Sequence, residues 1–304
     1  MIKNPQPTAL EIILPSNHFA KTKHPARPFL MPIIVDSEIH VLTEREFHEQ
    51  AEKVIGIVFD VHNQFGRLMN EEAYKRIIQT RCEQAGMTPA RREVEIIVQH
   101  GTFEKRYYMD LLLTSSLMTE AKTAEKLTKS HEAQTLHYLL LTEMQHGLLV
   151  NLRPKSVEKK YVSTQLDLAK RQQFSIVDTF WNPINEASNR LRAVMTELLN
   201  DWGAFLNTSL YREAVVHFFG GPEIVLRPVP VYDRNQPIGT HPFCLLADDT
   251  AFAITALTSD QSAMQEHLLR LLSHTKLACV QWINMHHHDI EFRTVTRTTV
   301  CDLP

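Results

Sequence analysis

Asp110, Glu120 and Lys122 are residues whose types and spacing could do hydrolytic chemistry. Alternating apolar residues place Asp110 in one strand and Glu120 and Lys122 in the next, across a turn at Ser115 and Ser116. Side chains of a strand alternate faces, so Glu120 and Lys122 point the same way. A tight turn sets the two strands side by side, and Asp110 can then approach Glu120. Carboxylate oxygens suit Mg²⁺ or Mn²⁺. Such an ion neutralises a phosphodiester and lowers the pKa of a bound water. A neighbouring lysine orients that water or stabilises charge developing on phosphorus. The pattern D-x9-E-x-K is nonetheless common by chance in a chain of 35 acidic and 32 basic residues. A solvated sheet edge with one salt bridge is the competing reading.

The elements that must position these residues are legible around them. Residues 1–39 are proline-rich and read as an extended N-terminal arm. Thr43 with Glu46 has the spacing of a capping box, and Phe47, Val54, Ile57, Val58 and Val61 follow at helical intervals. A second helix is predicted over about 70–84, ending at Gly86. Val94, Ile96 and Val98 alternate as in a strand. Strands over 107–113 and 117–122, a helix over 130–142 and strands over 147–152 and 157–162 complete an α/β domain.

The stretch from His40 to about Ser163 resembles the GxxExxY proteins, a branch of the PD-(D/E)XK nuclease-like superfamily. The naming motif stands here as Leu68, Glu71 and Tyr74; the Asp strand carries Asp110, and the E-x-K strand carries Glu120 and Lys122. A helix with Gln134 and Tyr138 and a closing strand ending at Asn151 follow in the family's order. The resemblance implies a mixed sheet flanked by helices and a divalent-metal phosphodiesterase site. Asp110 and Glu120 would be the ligands of Mg²⁺ or Mn²⁺ and Lys122 the catalytic lysine. Glu71 would be an accessory acid. Gln134 would line the site from its helix, with Tyr138 one turn on. The chain departs from the family pattern at Leu68, where the motif has glycine, and at Met109 and Ala121.

The remaining chain repeats the order. Gly66 and Tyr74 recur as Gly203 and Tyr211 at an offset of 137, and Asn151 recurs as Asn284 at 133. The expected organisation is therefore a tandem duplication of one α/β domain, over 40–165 and 166–304. In the second copy Phe243 or Cys244 falls at the Asp110 position. Ala253 and Thr255 fall opposite Glu120 and Lys122, Thr208 opposite Glu71 and His267 near Gln134. This copy is expected to be inert and to pack against the first, as the partner in a homodimer would.

Composition excludes other classes. The nine glycines form no phosphate-cradling motif, which sets aside P-loop and dinucleotide-binding enzymes. Four scattered cysteines make no CxxC, and no signal peptide or membrane span is read, so a cytoplasmic location is expected. His286, His287 and His288 read as a solvated loop, since adjacent strand residues diverge. Lys126, Lys129 and neighbouring basic residues could steer a nucleic-acid backbone, or simply solvate helix ends and turns. The net charge of −3 comes mostly from residues 166–304, with 11 basic and 15 acidic groups, whereas residues 40–165 balance at 17 each. Binding to DNA or RNA is thus expected to be weak and confined to the first half. A second copy of the chain is a possible partner. A non-catalytic binding or assembly module is the rival reading.

Overall fold

The computed structural model describes residues 31–297. The expected N-terminal arm lies outside the described residues as far as Leu30. Over residues 32–297 the chain is one folded unit.

The first half runs β1 (Ile33–Val35), α1 (Glu44–Phe65), α2 (Glu71–Gln84), β2 (Ala90–His100), β3 (Phe103–Leu113), β4 (Leu117–Lys122), α3 (Lys129–Thr142), β5 (His146–Asn151) and β6 (Glu158–Ser163). β1 lies where sequence predicted only an arm; it pairs antiparallel with Ile96–Val98 of β2. Three residues carry too little pattern to reveal an edge strand. The capping box forms as expected. The Glu46 amide donates to Thr43 Oγ1, and the Thr43 amide donates to Glu46 Oε2 at 3.0 Å. The apolar stripe of α1 (Phe47, Val54, Val58, Val61) meets Tyr74 and Ile78 of α2 and Leu111 and Leu148 of the sheet in one core. Each such fully buried side chain contributes about 1.5–3 kcal/mol.

The second half runs α4 (Leu168–Arg171), β7 (Ser175–Phe180), α5 (Glu186–Trp202), α6 (Thr208–Phe218), α7 (Pro222–Val225), β8 (Leu226–Asp233), β9 (Gln236–Ala247), β10 (Thr250–Thr255), α8 (Gln261–Ser273), β11 (Cys279–His286) and β12 (Asp289–Thr296). Two mixed six-stranded sheets result, ordered β1-β2-β3-β4-β5-β6 and β7-β12-β11-β10-β9-β8. Five strands follow one order in each: three antiparallel strands, a helical crossover to a parallel fourth, and an antiparallel fifth. The sixth strand differs. β1 joins the first sheet beside β2, whereas β7 runs parallel to β12 at the opposite edge of the second.

The helices α5 and α6 lie in a core shared by both sheets, with Trp202, Leu199 and Tyr211 packed among Ile96, Met109, Leu139, Ile283 and Phe292. The Trp202 indole donates to the Gln99 carbonyl at 3.0 Å. Arg171 is fully buried and donates to the carbonyls of Trp202 and Leu140. Among the described residues, no helix is long and apolar enough to cross a membrane.

Candidate active site

The β3–β4 ladder pairs Leu113 with Leu117, Leu112 with Met118 and Leu111 with Thr119. Beyond that point the two strands part, and side chains take over from the backbone. The Asp110 amide donates to Glu120 Oε1 at 3.1 Å, and the Ala121 amide donates to Asp110 Oδ2 at 2.9 Å. Each carboxyl group thus satisfies an N–H that the fork would strand. β4 continues meanwhile in parallel register with β5 as far as Lys122 opposite Asn151. The Asn151 amide fixes the chain after β4, accepting from the Ala124 N–H at 3.1 Å and donating to its carbonyl at 2.8 Å.

Lys122 sits over both carboxylates. Its Nζ is 3.2 Å from Glu120 Oε2 and 3.6 Å from Asp110 Oδ2. Burial, followed by the charge of Asp110, raises the Glu120 pKa above its ordinary value against the pull of Lys122. Burial lowers the Lys122 pKa, but Glu120 and Asp110 outweigh it and hold the ammonium charged.

Glu71 opens α2 beneath its N-cap Asn70, whose side chain accepts from the Ala73 amide at 2.8 Å. Burial and the Asp110 charge raise the Glu71 pKa, while Lys122, Lys75 and a backbone bond from Thr123 oppose them. The turn before α2 is held by the Tyr74 hydroxyl, which donates to the Gly66 carbonyl at 2.6 Å. Leu68 is exposed and takes no left-handed conformation, so the missing glycine leaves the turn intact. Met109 and Ala121 are buried in the cores on either side of the sheet. On α3 the Gln134 amide donates to the Tyr138 hydroxyl at 3.0 Å. Burial raises the Tyr138 pKa, and the charges of Glu120 and Lys122 also reach it.

The fold therefore gathers Asp110, Glu120, Lys122 and Glu71, with Gln134 and Tyr138 on the helix facing them. Lys126 and Lys129 lie exposed between β4 and the start of α3. Much of the expected basic surface is neutralised instead: Arg91 pairs with Asp36, Arg92 with Glu72, Lys105 with Glu213, Arg106 with Glu95 and Lys160 with Glu132. His287 and His288 form the β11–β12 turn, and His288 Nδ1 meets the Gln173 carbonyl at 2.8 Å.

Sequence reasoning missed Lys75 and Glu93. Lys75 is buried, with Nζ 3.2 Å from Asp110 Oδ1 and in direct hydrogen bond with Glu93. Burial lowers its pKa, but Glu93 and Asp110 more than compensate. Glu93 has φ 51 and lies across from Asp110, between the pairs Arg92–Leu111 and Val94–Met109. One signal was available: Lys75 is four residues after Glu71, hence on the same helix face.

A family model of the PD-(D/E)XK nuclease superfamily matches residues 48–163. This segment is similar to that superfamily. No curated protein and no solved structure matches the chain. Nucleases of this superfamily generally use divalent metals. Among the described residues, no three His, Cys, Asp or Glu side chains form a ready metal-binding group. The donor chemistry still fits a hard ion, because Mg²⁺ commonly takes one or two protein carboxylates and completes its shell with water and phosphate.

In the second half, Thr255 stands opposite Asn284 as Lys122 stands opposite Asn151. The pairing of Ala251 with Leu245 puts Phe243 at the Asp110 position, and Ala253 replaces Glu120. Thr255 Oγ1 accepts from the Trp282 indole at 2.9 Å and lies 2.8 Å from Asn284 Oδ1. A neutral hydroxyl, indole and amide network fills the place of the charged cluster.

Proposed function

We propose that the protein is a divalent-metal-dependent nuclease with one active site, in its first half. The bonding across the fork carries this reading: Glu120 accepts from the Asp110 amide, Asp110 accepts from the Ala121 amide, and Lys122 lies over both carboxyl groups. Nothing in the packing of the second half requires such charges at the matching positions. Asp110 and Glu120 would hold Mg²⁺ or Mn²⁺, and the ion would supply charge neutralisation and an acidified water. Lys122 would direct its ammonium toward the scissile phosphate. Glu71 has a raised pKa, which suits it to carry or accept a proton at the edge of the site. Gln134 and Tyr138 would line the substrate side, and exposed Lys126 and Lys129 would meet the backbone of DNA or RNA.

The second half is best read as a degenerate copy of the first. Two paired sets of bonds support the duplication. Tyr211 donates to the Gly203 carbonyl as Tyr74 does to that of Gly66. Asn284 accepts from the Leu257 amide and donates to its carbonyl, as Asn151 does with Ala124. Its proposed role is to cover the first sheet through α5 and α6.

The test is cleavage of DNA and RNA in Mg²⁺ or Mn²⁺ by wild type, Asp110→Ala and Lys122→Ala. Loss of at least about 100-fold in both variants is expected, the scale of removing one charge-stabilising group. Equal cleavage by all three, or none by wild type on any substrate, would leave the non-catalytic binding or assembly module as the better account.

A further inference from the structure

Lys75 is surrounded by acids. Its ammonium lies 3.2 Å from Asp110 Oδ1 and 3.5 Å from Glu72 Oε2, and it hydrogen-bonds Glu93 directly. The residue is 7% exposed, so it is not placed to grip a substrate. Glu72 is shared with Arg76 and Arg92, which anchors the cluster to α2 and β2. Asp110 divides its oxygens: Oδ1 faces Lys75, whereas Oδ2 takes the Ala121 amide and faces Lys122.

We propose that Lys75 is a positioning residue that serves as a tethered second cation. It occupies the outer side of Asp110, so the site accepts one divalent ion, on the Glu120 side only. This rests on the divalent-ion reading of Asp110 and Glu120. The second half supplies an internal comparison. Arg212 stands at the Lys75 position, at the offset of 137 shared by Tyr74 and Tyr211, and it is exposed. Pro228 matches Glu93, one residue on from the Arg92 and Arg227 pair, and Phe243 matches Asp110. Helix α6 still buries Leu210, Tyr211, Ala214 and Val215. The buried cation, Glu93 and Asp110 are therefore absent together in the second half, although the matching helix still buries its tyrosine in a core. That pattern ties Lys75 to the site rather than to the fold.

Removing the ammonium leaves three carboxylates around a space sized for a cation. Drawn in to about 2.0–2.1 Å, they are hard ligands for a divalent ion. The experiment is calorimetric titration of the full chain with MnCl₂, after folding is confirmed by circular dichroism. Wild type is expected to bind one Mn²⁺ per chain, Lys75→Met two and Lys75→Arg one. Glu93→Gln in the Lys75→Met background should lose the added ion and keep the first, because Glu93 meets Lys75 on the outer side only. If Lys75→Met does not fold, Lys75→Gln carries the same test, because it keeps a hydrogen-bond donor without charge. A folded, neutral variant that still binds one Mn²⁺, with affinity within twofold of wild type, overturns the role of Lys75 alone. A wild type that binds no Mn²⁺ overturns the divalent-ion reading beneath it.

Discussion

Replacing Glu120 with glutamine separates the stability of this protein from its activity. Glu120 is fully buried and its pKa is raised, first by burial and then by Asp110. The native state therefore holds a proton that the unfolded chain releases, over the range from about 4.3 upward. An acid with a raised folded pKa makes stability fall as pH rises through that range. Each tenfold change in proton affinity is about 1.4 kcal/mol, so the ionised carboxylate costs on the order of 2 kcal/mol above the raised pKa. Glutamine keeps an oxygen for the Asp110 amide and carries no charge, although it loses the bond from Lys122. Glu120→Gln should therefore unfold about 4–8 °C higher than wild type at pH 9 in EDTA, using about 2–4 °C per kcal/mol. At pH 5 the two should coincide. Mn²⁺ should reverse the order, since an ion at 100 times its Kd adds about 2.7 kcal/mol to the form that binds it. Thermal melts at pH 5, 7 and 9, with EDTA and with Mn²⁺, read all of this. A variant less stable than wild type in EDTA at pH 9 would refute the account of Glu120 as a strained buried carboxylate.

Two further outcomes concern the frame around the site. Thr43→Ala removes the hydroxyl that accepts from the Glu46 amide and donates to the Glu46 carboxylate, leaves the Thr43 amide bond in place, and should lower stability by about 1 kcal/mol, with cleavage unchanged. Arg171→Ala strands the carbonyls of Trp202 and Leu140 in the shared core and should cost about 2–4 kcal/mol in chemical denaturation. A loss under about 0.5 kcal/mol would show that the two halves do not depend on that junction.

The Thr43 box, the α2 cap at Asn70 and the strand containing Glu120 and Lys122 were written locally. Capping, turn chemistry and strand alternation act within a few residues, so the sequence by itself determined those elements. It also determined which acids and which lysine of the two strands could meet. The histidine triplet reads as a loop, and only His287 and His288 form the turn, since His286 ends β11 paired with Asp289. Three things were settled only by tertiary structure. β1 and β7 are short strands whose stability comes from pairing with β2 and β12, and their own residues carry little pattern. Sequence leaves open whether the basic residues steer a polyanion or solvate helix ends and turns; several are matched to acids far along the chain, as Lys105 is to Glu213. Lys75 reads locally as an ordinary charge on an amphipathic helix. Only the packing of α2 over β2 and β3 buries it among Asp110 and Glu93, and burial raises the electrostatic stakes of every charge in that group.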